Sequence, residues 1–318
     1  MGKGEVKRGK IFNKYSAQLN NLVRLRLYDS ELLFEKTYLC PICLLPFSEE
    51  SLDVSKDIFL TLEDAPPKSL GGKANTLTCK KCNNESGYKI DFHLLEALKE
   101  QGIRTFSPNS GSKLFVTHKG IEVQGILKVD TEGEISFIIK PENNEPKRFA
   151  EYVSRVGKDD NVEIRFPASR VEVKNFEVAL LKTAYILAFE KFGYPLILSK
   201  AFDIVRDQLK KPTEDIYPSG FWTMQKPFSG DNIGVHLIIT QEFEGFHAIF
   251  NLKTGSSEYG FVVYLPTSQK TTKSVIEKLR IQQAGFTLSY DSYKNTDYFE
   301  YQENQKMMTD FMRKRNEI

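Results

Sequence analysis

Three pieces of sequence decide how this chain reads: Cys40-Pro-Ile-Cys43, Leu62-Glu-Asp-Ala-Pro-Pro-Lys-Ser-Leu-Gly-Gly72, and Leu77-Thr-Cys79-Lys-Lys-Cys82-Asn83-Asn84. They hold all four cysteines, as two C-x-x-C pairs. Zinc takes four soft ligands in a tetrahedron, and two such pairs supply them with little choice of geometry. The interval from Cys43 to Cys79 is longer than in a compact zinc ribbon, but a longer loop adds only slightly to closure entropy. Unrelated buried cysteines, a redox C-x-x-C and a disulfide pair are the alternatives. A redox motif wants a βαβ context, which neither pair has. Structural Zn²⁺ held by Cys40, Cys43, Cys79 and Cys82 is the expectation, and loss of the metal is expected to unfold the module.

Between and just after the pairs, acidic residues precede a Gly-Gly turn and a C-x-x-C-N helix start. That order suggests a second, hard-metal site beside the zinc. Ile58–Leu62 reads as a strand, and Pro66-Pro67 and Gly71-Gly72 as loop and turn. The signal is weak from Lys73 to Thr76 and recovers at Leu77. From Asn83 to Leu98, the spacing of Ile90, Phe92, Leu94, Leu95 and Leu98 predicts a helix, interrupted early at Gly87.

Glu63-Asp64-x-Pro-Pro-Lys-Ser-Leu-Gly-Gly followed by Leu-Thr-Cys-Lys-Lys-Cys-Asn-Asn-Glu-Ser-Gly-x-x-Ile-Asp91 resembles the HNH endonuclease family, in its zinc-stapled bacterial form. The resemblance covers residues 38–96. It implies a ββα-metal unit: two strands and a helix that clamp one divalent ion against DNA. By position it makes Glu63 the acidic metal ligand and Asn83 the ligand borne on the helix, and Asp91 matches a further acidic position. The catalytic set it implies is therefore Glu63, Asp64, Asn83 and Asp91, served by Mg²⁺ or Mn²⁺.

Asp64 departs from the family pattern, which places a water-activating histidine there. Unperturbed histidine titrates near 6.5 and aspartate near 3.9, a gap on the order of 3–4 kcal/mol in proton affinity. A neighbouring cation would lower the aspartate further, making it a poorer base and a better ligand. Two outcomes follow: Glu63 and Asp64 hold an ion that itself supplies the hydroxide, or the scaffold survives without hydrolysis. Gly71-Gly72 needs a positive φ somewhere in the turn, Asp64 before Ala-Pro-Pro suits a turn cap, and Asn83 and Asn84 suit a helix start.

The rest of the chain frames this module. Its 318 residues allow two domains or more, and 40% hydrophobic with 27% charged residues describes a globular protein. The net charge of +2 implies no nucleic-acid partner by itself. Locally, Lys3, Lys7, Arg8, Lys10, Lys14, Arg24 and Arg26 face a single Glu5 within residues 1–28, a segment suited to phosphates or to a solvated arm. No apolar leader opens the sequence. The apolar stretch Phe176–Leu198 contains Glu177, Lys182, Glu190 and Lys191, which excludes an ordinary membrane span. Paired cysteines point to a reduced, cytoplasmic setting.

The fold class expected is α+β: a basic helical segment at 1–35, the zinc module at 36–100, a linker at 101–110, and an α+β domain at 111–318. In that last part, Lys113–His118, Ile121–Val129 and Glu134–Ile139 alternate as strands. A helix over about Asn175–Phe192 is apolar on most of its circumference. Another starts at a Ser199 N-cap and stops at Pro212. Val235–Thr240, Phe246–Leu252 and Tyr259–Leu265 read as strands, and 271–283 and 303–316 as helices, the last peripheral.

Three functions stay open at this level. The leading one is a metal-dependent endonuclease of the kind that serves as a restriction or anti-phage defence effector, acting on DNA with Lys68, Lys73, Lys80 and Lys81 on the backbone. It brings with it a homo-oligomer or a defence-system partner. A degenerate HNH scaffold that binds DNA or protein is the alternative. A ligand sensor built on 111–318 is the third, with Tyr217, Phe221 and Trp222 lining a pocket or packing a core. His93, on the following helix, could swing toward the site, but between Phe92 and Leu94 it reads as an ordinary core or surface residue. His118, His236 and His247 have no ligand-like company.

Overall fold

The computed structural model describes residues 2–240, 244–281 and 296–316. Along the chain, α1 (Lys3–Arg24) leads to two tiny strands, β1 (Tyr38–Leu39) and β2 (Pro46–Phe47). Then come β3 (Leu60–Ala65), β4 (Lys73–Cys79) and α2 (Lys80–Ser86). A π-helical turn, Gly87–Asp91, joins α2 to α3 (Phe92–Arg104). Next are β5 (Gly111–His118), β6 (Ile121–Val129), β7 (Ile135–Ile139), α4 (Pro146–Arg155) and β8 (Glu163–Arg165). The helices α5 (Val173–Phe192), α6 (Tyr194–Ile197) and α7 (Asp203–Lys210) follow. Strands β9 (Trp222–Gln225), β10 (Gly234–Ile239), β11 (Glu244–Thr254) and β12 (Ser257–Leu265) precede α8 (Thr272–Ile281) and α9 (Gln302–Asn316). The protein is thus a mixture of helix and sheet. No helix among the described residues is long and apolar enough to cross a membrane.

The chain divides into two compact units: residues 1–94 with 172–252 and 259–318, and residues 95–171 with 253–258. This differs from the expected division at 36–100 and 111–318, and α5 is the reason. A helix apolar all round must be covered on every side. Buried residues run from Asn175 to Phe192 on every face of α5, including Leu180, Leu181, Tyr185 and Phe189. Its cover comes from the π-helical turn, α6, α7, the β3–β4 hairpin and β10, with Tyr15 of α1 stacked on Phe189.

On α1, the buried Ile11, Phe12, Tyr15, Leu19 and Leu22 recur at helical spacing. The helix ends at Arg24, short of the expected 35. The ring of Tyr15 stacks on Phe189 at 4.4 Å and meets Tyr38 edge-on at 5.8 Å. Buried tyrosines need partners for their hydroxyls, and here these pin the cysteine segment to the core. Tyr38 Oη donates to the Leu77 carbonyl at 2.7 Å, and Tyr194 Oη to that of Leu39 at 2.8 Å. Tyr185 Oη donates to the Pro41 carbonyl.

The first unit also carries the sheet ordered β10-β11-β12-β9. Ser199 caps the turn leading into α7, its Oγ accepting from Ala201 N–H at 3.3 Å. Tyr217 and Phe221 are buried in the core, and Trp222 donates its indole N–H to Glu177. The final helix is not peripheral: Gln305, Met308, Thr309 and Met312 of α9 are buried. Of the helix expected over 271–283, residues 282 and 283 lie outside the described residues.

The second unit is an antiparallel sheet ordered β7-β6-β5-β8. Strands β5 and β6 alternate as the sequence predicts, whereas β7 is exposed along most of its length and β8 is exposed throughout. Leu114, Val116, Val123 and Leu127 form a core with Tyr152 of α4. The expected linker begins inside α3, which runs to Arg104.

Candidate metal centre and the buried ion triad beside it

The four cysteines converge. Their sulfur atoms all lie within 4.8 Å of one another, and Cys43 Sγ is 3.9 Å from Cys79 Sγ. Zinc–sulfur bonds of about 2.3 Å in a tetrahedron put sulfurs roughly 3.8 Å apart, so the cluster fits that ion. Local chain geometry makes it so. Between β1 and β2 the chain turns back on itself, Leu44 N–H bonding to the Cys40 carbonyl at 2.8 Å with Leu44 at φ 58. Cys79 ends β4 and is also the N-cap of α2, its sulfur accepting from Cys82 N–H at 3.5 Å. Cys79 N–H in turn points at Cys40 Sγ at 3.4 Å. Amide donors of this kind favour the thiolate that a metal binds. Burial pushes the Cys40 thiol up, while bonds to neighbouring sulfurs pull the Cys43 and Cys79 thiols down.

Strand β3 pairs with β4 in antiparallel register, and α2 follows directly. Glycine is needed twice in the connecting turn. Gly71 sits at φ 94, and a Cβ on Gly72 would lie 1.5 Å from the Pro66 carbonyl oxygen. The register slips between Glu63 and Asp64: Glu63 faces Thr76 and Asp64 faces Ala74, leaving Asn75 as the bulged residue. Asn75 Nδ2 donates to Glu190 on α5 at 2.6 Å.

The bulge separates the two acidic neighbours. Glu63 is 3% exposed, and its Oε2 accepts from Thr78 Oγ1 at 2.8 Å. Its Oε1 lies 2.7 Å from Lys182 Nζ, and the same ammonium lies 2.7 Å from Asp91 Oδ2. The π-turn carries Asp91 onto α5, against which it packs. The structure therefore does bring Glu63 and Asp91 together, but onto a buried lysine. Two acids share one base here. Burial raises the Asp91 carboxyl despite its attraction to Lys182. Burial also works against the charge on Lys182, yet Glu63 and Asp91 outweigh it and hold the ammonium above its ordinary range.

Asn83 does not join the triad directly. Its Nδ2 donates to Thr61 Oγ1 at 2.7 Å and to the Leu62 carbonyl at 3.1 Å, tying α2 to β3. Thr61 Oγ1 in turn donates to the Thr78 carbonyl at 3.2 Å, so Asn83 and Glu63 are linked only through threonines. Asp64 stays half-buried, its carboxyl raised by burial and by Glu63 and lowered by Lys68 and Lys7. Glu190 is raised by burial and lowered by its bond to Asn75 and by Lys14, Lys7 and Lys73. Lysines of α1 and of the hairpin thus act on the same two carboxylates. Lys68, Lys73, Lys80 and Lys81 are all exposed, and Lys80 Nζ lies over the Phe59 ring at 5.0 Å.

Among the described residues, only the four cysteines bring three or more potential metal-binding side chains of His, Cys, Asp or Glu together. His93 is a buried structural residue, its Nδ1 accepting from Glu172 N–H at 3.0 Å. Lys182, Asn75 and Glu190 belong to the site without having been singled out as functional in the sequence. For Lys182 the signal was a cation in the middle of the apolar run between Glu177 and Glu190 of α5.

Fold and site together define a mixed α and β protein with a four-cysteine cluster suited to zinc. No protein-family model, curated protein or solved structure matches the chain.

Proposed function

We propose that the hairpin, α2 and the cysteine cluster form a zinc-stapled, HNH-like scaffold that binds nucleic acid without cutting it. One observation carries the reading: Lys182 Nζ holds both Glu63 and Asp91, at 2.7 Å each, with only 4% of its side chain exposed. An ammonium neutralises carboxylates as a cation would. It offers no open coordination position, so it cannot polarise a phosphate or generate hydroxide as a divalent ion does. Admitting Mg²⁺ would mean expelling a buried, doubly paired charge, which is costly. Zinc, bound by Cys40, Cys43, Cys79 and Cys82, would supply structural closure, and the exposed lysines of α1 and the hairpin would supply phosphate contacts.

Salt-dependent DNA binding of the zinc-loaded chain tests this. Lys68→Glu with Lys73→Glu is expected to weaken binding and flatten its dependence on salt, since each lost phosphate contact reduces the slope by roughly one. Binding that is indifferent to both the lysines and the salt would remove the proposal.

A second reading has one observation in its favour. Asp64 lies outside the lysine triad and half-buried beside Glu63, and burial raises its carboxyl above its ordinary value. In that reading the protein is a Mg²⁺- or Mn²⁺-dependent endonuclease acting through Asp64. Plasmid nicking that needs either metal and disappears in Asp64→Ala would establish it and overturn the non-cutting scaffold.

A further inference from the structure

The second unit, taken alone, holds a cavity of about 580 Å³. The end of α3, the start of β5 and the segment after β8 line it. Two of its walls are phenylalanines left largely in water: Phe106 is 48% exposed and Phe166 42%.

Phe106 occupies an unusual backbone position. Helix α3 closes with Ser107 N–H bonded to the Gly102 carbonyl at 2.8 Å and Phe106 N–H to that of Ile103 at 3.1 Å. This is a Schellman closure, and Phe106 takes its left-handed position at φ 47. Glycine ordinarily stands there because a side chain strains the backbone. The chain thus places a bulky ring where it is disfavoured by conformation and by hydration alike. Such a position persists only where the surroundings fix it, and here the fixed ring faces the cavity.

The charges around the rings are specific too. Lys99, Arg104, Lys113 and Arg170 line the cavity against Glu96 and Glu100, leaving it net positive. Glu96 pairs with Lys99 at 2.9 Å and Arg170 at 3.6 Å, and Glu100 lies 4.0 Å from Arg104. Among the described residues Lys113 has no acidic partner. A purely apolar ligand would use the rings and waste the cations. An acidic peptide would use the cations and leave the rings wet. A base with its phosphate uses both, because every base has a face to stack and every nucleotide a negative charge.

We propose that this cavity binds a nucleotide unit, the base stacked on Phe106 and Phe166 and the phosphate drawn to Lys113 and Arg104. The inference stands apart from the hairpin reading, since it uses no residue of that surface. A free nucleotide and one residue of a single strand present the same chemistry.

The test uses the full zinc-loaded chain carrying Lys68→Glu and Lys73→Glu, so that the hairpin contributes little. Probes are dTMP, a short oligo(dT) and inorganic phosphate. Both nucleotide probes are expected to bind, and Phe106→Gly to weaken each by roughly fivefold to a hundredfold. Its melting temperature should hold or rise, because glycine relieves the left-handed backbone. Oligo(dT) binding tighter than dTMP assigns a single strand, and equal binding assigns the free nucleotide. Failure of both probes, phosphate matching dTMP, or affinity unchanged in Phe106→Gly each overturns the proposal. A fall in melting temperature with binding intact would show the ring to be packing only, and overturns it as well.

Discussion

Lys182, midway along α5, sets its ammonium 2.7 Å from the Glu63 carboxylate near the end of β3. This contact does two things at once. It fastens the hairpin to the helix at the centre of the first unit, so the cysteine module is not a free-standing finger. It also fills with a fixed cation the place where the hairpin carboxylate and Asp91 converge, so the structural and chemical readings of the site depend on the same nitrogen.

Removing that nitrogen should therefore be severe. Lys182→Met leaves Glu63 and Asp91 buried without their counter-charge, and breaking a buried pair from one side costs about 3–5 kcal/mol. Adding Glu63→Gln and Asp91→Asn to Lys182→Met should recover much of the loss, because the desolvated charges go with it. Urea unfolding of the three proteins measures this. A single variant within about 1 kcal/mol of wild type would mean that the triad is solvated and weak.

Zinc removal should spread beyond the cysteines. Leu39 and Pro41 take hydrogen bonds from Tyr194 and Tyr185, and Leu77 takes one from Tyr38, so the cluster and the aromatic core share anchors. Titrating the thiols with a mercurial should release about one zinc per chain, and the near-ultraviolet signal of the buried tyrosines should collapse with it. Metal-free protein that keeps this signal would show that the cluster holds no structural ion.

Part of this was readable in the sequence. Two C-x-x-C pairs have few uses, and alternation at Lys113–His118 and Ile121–Val129 located strands that the structure bears out, because both signals are local. The weak stretch Lys73–Thr76 is strand all the same. There the pattern was blurred by the bulge at Asn75, a feature set by a partner strand and by Glu190 on α5. Lys182 was visible as a charge in an apolar helix, and it argued against a membrane span. That it would face Glu63 and Asp91 depends on tertiary packing, which no spacing rule encodes. The same packing moved α5 from the expected C-terminal domain to the side of the cysteines.

The two glycines flanking the site should respond in opposite ways to alanine. At Gly72 a methyl group would meet the Pro66 carbonyl at 1.5 Å, so Gly72→Ala must displace backbone in the turn and should cost at least about 2 kcal/mol. Gly87 has helical φ −58 and ψ −45 and nothing within 4 Å of an added Cβ. There alanine should add about 0.5–1 kcal/mol of stability by removing a flexible residue from a helical run. Thermal melting of both variants decides it, and a tolerated Gly72→Ala would mean that the turn is more open than described.

Acid stability should bear the mark of His247, which lies buried in β11 directly across from His236. Burial, aided by the charge of His236, lowers His247 from 6.5 to about 4. Below pH 6.5 the unfolded chain therefore takes up a proton that the folded chain refuses. The contribution of this residue is present in full above pH 6.5 and drains away as pH falls toward 4, a total on the order of 3 kcal/mol. His247→Phe keeps a ring beside Tyr264, whose centroid lies 6.0 Å away, and removes the proton site. Between pH 6.5 and 5 the wild type should lose roughly 2 kcal/mol more than this variant in urea unfolding. Comparing zinc-loaded proteins cancels the protonation of the thiolates, which both share. Parallel acid limbs for the two proteins would mean that His247 takes its proton in the folded state, and that the strand around it admits water.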